Sequence, residues 1–199
     1  MRTISPKCAG LTPADLPQLL RRFAQAGEHV VAFNALYDSG SGYDPARLWC
    51  GLAGSNFTRP DPAGIGTFDE LRSLVATAHG LGLAVITWLN PSYIWTGSPY
   101  FKRAEADVKA FGLNALPADS PARWFRWKQD DHLTVLTKPT DAEPPTRTEA
   151  WAWVYSADAG ASYLSTFSSM PCTDLASPEW RLELRRIVSF WVSDVRPLP

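Results

Sequence analysis

Twice in the first half of the chain apolar residues recur at helical spacing, and each time a short, nearly continuous apolar run follows. In residues 11–27, Leu16, Leu19, Leu20 and Phe23 share one helical face, Thr12 stands where a cap is needed, Pro13 suits the first turn and Gly27 ends the pattern. Residues 29–36, rich in Val and Phe, predict a strand buried on both faces. Residues 67–80 repeat the helical pattern with Phe68, Leu71, Leu74, Val75 and Ala78, closed by Gly80 and Gly82. Residues 83–89 then predict a second buried strand. Between the two halves of this repeat, residues 38–66 are polar and Gly-rich, which predicts a long loop of the kind that carries function in compact domains.

Helix, strand, long loop, helix and strand in that order imply a parallel α/β fold, with helices outside a buried sheet. The pattern leaves a doubly wound sheet and a barrel both open. After Asn90 the texture changes to Trp, Tyr, Pro and short charged helices, and residues 137–148 are Pro-, Thr- and Asp-rich, as in an exposed loop. This reads as an insertion rather than more sheet. A last helix over residues 178–192 carries Leu182, Leu184, Ile187, Val188 and Trp191, with Ser177 as its cap ahead of Pro178.

Charge and composition narrow the function. A net charge of −1, with no Lys/Arg run longer than two, gives no field for gripping nucleic acid. No apolar stretch approaches the roughly 20 residues that span a bilayer, so no membrane partner is expected. Residues 1–10 hold Arg2 and Lys7 but no apolar run like that of a signal peptide, which predicts a cytoplasmic chain. Cys8, Cys50 and Cys172 are scattered and odd in number, as free thiols in a reducing compartment would be. No cofactor motif stands out. Nine Trp in 199 residues are unusual; their flat apolar faces with a polar edge suit sugar rings, and suit cores equally well.

Four segments carry a family likeness. Leu36-Tyr37-Asp38-Ser39 followed by Gly42-Tyr43-Asp44-Pro45 is similar to "P-x-Y-x-S" then "G-Y-D". Gly64-Ile65-Gly66-Thr67-Phe68-Asp69-Glu70-Leu71, leading to Ala78-His79-Gly80-Leu81-Gly82-Leu83-Ala84-Val85-Ile86, is similar to "FGT-x-x-DF-x-x-L…AH-x-x-GL-x-VI". The stretch from Ser120 through Trp124 and Trp127, with Trp151, Trp153 and Tyr163 after it, is similar to "DWY-x-W…SAW-x-W…YYLH-x-F". Met170-Pro171, Ser177-Pro178-Glu179-Trp180-Arg181 and Phe190-Trp191 are similar to "QPDLN-x-x-NPEVR…FWL". In this order and spacing they resemble the α-amylase family, glycoside hydrolase family 13, in its oligo-glucosidase and trehalose-synthase members.

The resemblance implies the N-terminal part of a (β/α)8 TIM barrel with a domain inserted after the third strand. It divides the chain into first barrel elements over residues 1–90, an inserted domain over 91–176 and a helix leading to the fourth strand over 177–199. It implies an oligosaccharide or α-glucoside as partner. Tyr43 would stack on the sugar and Asp44 would hydrogen-bond its hydroxyls, with Trp88 and Asn90 converging on the same pocket. The family's "D-x-x-x-N-H" is altered here, with Thr87 in place of the Asp and Ser92 in place of the His, so no metal is expected.

Retaining glycosidases need two carboxylates about 5 Å apart. The family's nucleophile follows "FWL" in "GVDGFRLD"; this chain continues from Phe190-Trp191-Val192 as Ser193-Asp194-Val195, out of register, and has no catalytic residue to assign. The expectation is a truncated family member, inactive alone, whose open barrel edge invites self-association. The competing expectation is a non-catalytic carbohydrate-binding or protein-interaction module.

Overall fold

The computed structural model describes residues 1–39, 53–129, 152–167 and 169–193. The chain forms two compact units, one from Met1–Asn90 with Arg186–Pro199 and the other from Pro91–Arg185.

The first unit is built on a parallel sheet in the order β1 (Arg2–Ile4), β2 (Val30–Asn34), β5 (Ala84–Trp88), with Val30 opposite Ala84 and Asn34 opposite Trp88. The two predicted strands are therefore parallel neighbours. One sheet face packs on α1 (Leu16–Gln25) and α2 (Phe68–Gly80): Val31, Phe33, Leu16, Leu20, Leu71, Leu74 and Ala78 form a single buried cluster, with Val85 against it. Helix α2 starts where its sequence says it should. Thr67 accepts the Glu70 N–H and the Glu70 carboxylate accepts the Thr67 N–H, a reciprocal cap written as Thr-x-x-Glu.

Two expectations fail in this unit. Thr12 does not cap α1: the helix begins at Leu16, and Thr12 instead donates its N–H and hydroxyl to the Asp15 carboxylate in the turn before it. Strand β5 is not buried on both faces. Its burial alternates, leaving Ile86 46% and Trp88 60% exposed while Val85 and Thr87 are half-buried. The long predicted loop also contains a strand, β4 (Asn56–Pro60), which pairs antiparallel with β3 (Tyr37–Asp38). The end of α4 (Pro178–Ser193) joins this unit: the Trp191 indole donates to the Phe57 carbonyl at 2.7 Å, and Phe190 meets Phe68 edge-on at 5.7 Å.

The second unit holds α3 (Pro99–Phe111) and an antiparallel sheet of β6 (Trp127–Lys128), β8 (Ala161–Phe167) and β7 (Ala152–Ser156), with β9 (Met170–Pro171) also on β8. The insertion is thus not merely short helices; it has its own sheet. The segment 137–148 lies outside the described residues. The core of this unit is aromatic. Phe101, fully buried, meets Phe125 and Tyr163 edge-on and stacks on Trp127, while Trp124 packs between Tyr100 and Trp180. Of the Trp residues counted in the composition, Trp124 and Trp180 are core material. Ser177 caps α4 as expected, accepting the Trp180 N–H at 3.1 Å.

Cys8 is disulfide-bonded and Cys172 is a buried free thiol. The reading of three free thiols fails at Cys8. Its spacing to the other cysteines carries no signature of pairing, so folding alone brings its partner within reach.

Candidate functional site

Where β2 and β5 end, their ladder stops at Asn34 and Trp88, and two hydroxyls take over. The Leu36 N–H donates to Thr87 Oγ1 at 3.3 Å, and the Asn90 N–H donates to the Tyr37 hydroxyl at 3.3 Å. Between them Ala35 turns the chain with a φ of 60°, a left-handed conformation that a non-glycine residue holds only under constraint. Trp88 stands at the end of β5 with its indole largely exposed, and Asn90 follows, half-buried. These two of the four residues expected to touch sugar therefore share one strand end. Tyr43 and Asp44 lie outside the described residues.

Tyr37 is 2% exposed, its ring 5.0 Å from that of Phe57. Burial pushes its phenol up to about 12, and the Asn90 N–H only partly opposes that shift. The folded pKa lies above the unfolded value of 10.0, so Tyr37 contributes stability that is present below pH 10 and lost as pH rises through about 12. A shift of this size corresponds to about 2–3 kcal/mol. Tyr163 in the second unit is pushed in the same direction by burial and then by the nearby Glu105 carboxylate. Unfolding followed from pH 9 to 12 should show alkaline destabilisation, and Tyr37→Phe should flatten the part that belongs to the first unit. An unchanged alkaline profile in that variant would contradict the buried neutral phenol.

Beside this strand end lies a buried polar cluster that the sequence did not single out. Asp61, 3% exposed, accepts from the Lys7 ammonium at 3.2 Å and the Ser39 hydroxyl at 3.2 Å through one oxygen, and from the Ala63 and Gly64 N–H groups through the other. Lys7, Ser39, Asp61, Asn34 and Ala35 border a cavity of about 10 Å³, the size of one water. The signal available in the sequence was Asp61-Pro62-Ala63-Gly64, a turn written in Asx chemistry. Nearby, the Asp38 carboxylate is paired with the Arg59 guanidinium. The Asp61 carboxylate is thus taken up by Lys7, Ser39 and two backbone N–H groups, and the Asp38 carboxylate by Arg59. Among the described residues no group of three or more His, Cys, Asp or Glu could hold a metal ion. What the strand end offers is an exposed aromatic face beside an amide, suited to binding a ring with hydroxyls.

No family model matches the sequence, and no curated relative does. Solved structures do match. Eubacterium rectale Amy13B aligns with a TM-score of 0.68 and 19% identity over 97% of this chain and 33% of its own. Trehalose-6-phosphate hydrolase of Bacillus licheniformis aligns at 0.69 and 20%, over 96% of this chain and 32% of its own. The trehalulose synthase MutB aligns at 0.72 and 17%, over 98% and 33%. The chain spans about a third of the length of these enzymes. A likeness of that extent, carried by the parallel β1-β2-β5 sheet and the unit that follows β5, gives this chain the fold of the N-terminal part of a (β/α)8 barrel with a domain inserted after its third strand.

Proposed function

We propose that this chain is the N-terminal, sugar-facing part of an α-amylase-family enzyme active on α-glucosides, either a hydrolase or a transglycosylase. The observation that carries the proposal is topological: three parallel strands in the order β1-β2-β5 lead directly into a unit with an antiparallel sheet, and this arrangement aligns with α-glucoside enzymes over 96–98% of the chain. One MutB structure contains glucose and another the substrate sucrose. Trp88 would stack on a glucosyl ring and Asn90 would bond its hydroxyls, with Tyr43 and Asp44 joining them. The same open sheet face, with Ile86 and Trp88 exposed, is the apolar surface through which self-association would run.

A non-catalytic module that binds through a Trp-rich surface finds less support, since Trp124 and Trp180 are buried in the second unit. No helix of the described residues is long and apolar enough to cross a membrane. The Cys8 disulfide argues for an oxidising compartment over the cytoplasm expected from the sequence.

Calorimetric titration with maltose, trehalose and sucrose tests the reading. The 199-residue chain should bind at least one of them weakly, Trp88→Ala should abolish that binding, and an aryl α-glucoside should not be turned over. Without a nucleophile no glycosyl-enzyme forms, and without an acid the leaving oxygen departs as a poor alkoxide. Turnover that disappears in Asp174→Ala would show that a local carboxylate does the chemistry, and the assignment of these residues as binding elements alone would be wrong. Absence of binding to all three sugars would remove the glucoside reading.

A further inference from the structure

We propose that Tyr37 and Thr87 are positioning residues for the glucoside site, the Tyr37 hydroxyl tying down the turn after β5 and the Thr87 hydroxyl tying β5 to the turn after β2, so that Asn90 and Trp88 are held together at the strand end. The inference rests on the glucoside reading above. The paired register of β2 and β5 ends at Asn34 and Trp88. The Leu36 N–H reaches Thr87 Oγ1, and the Asn90 N–H reaches the Tyr37 hydroxyl, across 51 and 53 residues of sequence.

Both hydroxyls sit on rigid supports. Thr87 lies within β5, and its branched side chain has little rotamer freedom. Tyr37 lies within β3, opposite Pro60 on β4, with its ring packed against Phe57. The turn carrying Asn90 is therefore tied to β3 through Tyr37, and β5 is tied through Thr87 to the Leu36 backbone just ahead of β3. A residue at position 87 or 37 with the same shape but no hydroxyl would keep the packing and lose the anchor.

The test uses the full chain with Tyr37→Phe, Thr87→Val and Thr87→Ser, maltose as the probe, and three readouts: amide hydrogen exchange, maltose Kd and thermal midpoint. Asn90 N–H exchange should accelerate about tenfold in Tyr37→Phe, and Leu36 N–H exchange should accelerate in Thr87→Val. Maltose should bind about fivefold more weakly to both variants, the weakening expected from one neutral hydrogen bond. Thr87→Ser, which keeps the hydroxyl, should restore wild-type affinity. Unchanged exchange at Asn90 in Tyr37→Phe overturns the proposal, as does a loss of affinity that simply follows the thermal midpoint through all three variants. Maltose binding that survives Tyr37→Phe and Thr87→Val at full strength overturns the positioning role while leaving the glucoside site standing. Absence of maltose binding by the wild-type chain, where Trp88→Ala also changes nothing, removes the site itself and the positioning role with it.

Discussion

Trp180→Ala should destabilise the second unit by about 4 kcal/mol, close to the upper end of what single core truncations cost. The side chain is 0% exposed, and its ring lies 5.1 Å from that of Trp124, which in turn lies 5.3 Å from Tyr100. Removing an indole from that row leaves a cavity that neighbouring aromatic rings, rigid and already in contact, fill poorly. The polar part of the loss is smaller. The indole N–H donates to the Pro91 carbonyl at 3.0 Å, but the Thr173 hydroxyl donates to the same oxygen, so the carbonyl keeps a partner after the substitution. Trp180→Phe, which retains most of the volume and loses only the N–H, should therefore cost about 1–2 kcal/mol. Urea denaturation followed by near-ultraviolet circular dichroism separates the two variants. If the alanine variant falls within about 1 kcal/mol of the wild type, the row of rings is not the core of this unit.

The same ring illustrates what the sequence could and could not disclose. Nine Trp in 199 residues are visible in composition, but composition does not say which way an indole faces. Trp124 and Trp180 went to the core and Trp88 to the surface, a distinction set by packing partners far away in sequence. Local signals were read more successfully. Strands β2 and β5 and helix α2 follow from runs and periods within about a dozen residues, and the Thr67 and Glu70 cap is a four-residue pattern.

Elements that depend on distant partners were harder to see. Strand β1 is three residues long, Arg-Thr-Ile, and becomes a strand only by pairing with Val31 to Phe33; nothing in its own composition marks it. Strand β4 hides in the polar stretch 38–66 because its sequence, Asn-Phe-Thr-Arg-Pro, has only Phe57 as a large apolar residue. At the strand end Trp88 and Asn90 could be singled out by the family likeness, whereas Lys7, Ser39 and Asp61 could not. Those three are 22 and 54 residues apart at their closest and farthest, and only the fold brings them into contact.

Asp61→Ala should cost the first unit about 3–5 kcal/mol, at about 1 kcal/mol for each of the four donors that lose the carboxylate. The residue is held through backbone and side chain alike. Its N–H donates to the Leu36 carbonyl, its carbonyl accepts the Ile65 and Gly66 N–H groups, and its carboxylate accepts from Ala63, Gly64, the Ser39 hydroxyl and Lys7. The carboxylate joins the residues after β1, the end of β3 and the turn into α2, and Asp61 itself is only 3% exposed. Gly64 shows how tight that space is, for a Cβ there would come within 2.9 Å of the Lys7 backbone nitrogen. Alanine would take the carboxylate away from the ammonium, the hydroxyl and two N–H groups, and buried donors cost more unmade than they contribute when made.

Asp61→Asn separates charge from shape. Its carbonyl oxygen can still serve the Ala63 and Gly64 N–H groups, but its NH2 then faces the Lys7 ammonium donor against donor, while the Ser39 hydroxyl can turn to accept from it. The asparagine variant should therefore fall between the wild type and the alanine variant. Lys7→Met should lose only about 1 kcal/mol, because the carboxylate keeps its other donors and the lysine side chain is 22% exposed in the wild type. Denaturant midpoints for the three variants give the ordering directly. If Lys7→Met proves as damaging as Asp61→Ala, the ion pair itself is the support; if Asp61→Asn proves harmless, neither the charge nor the donor count at this position matters, and the cluster does not hold the strand end together.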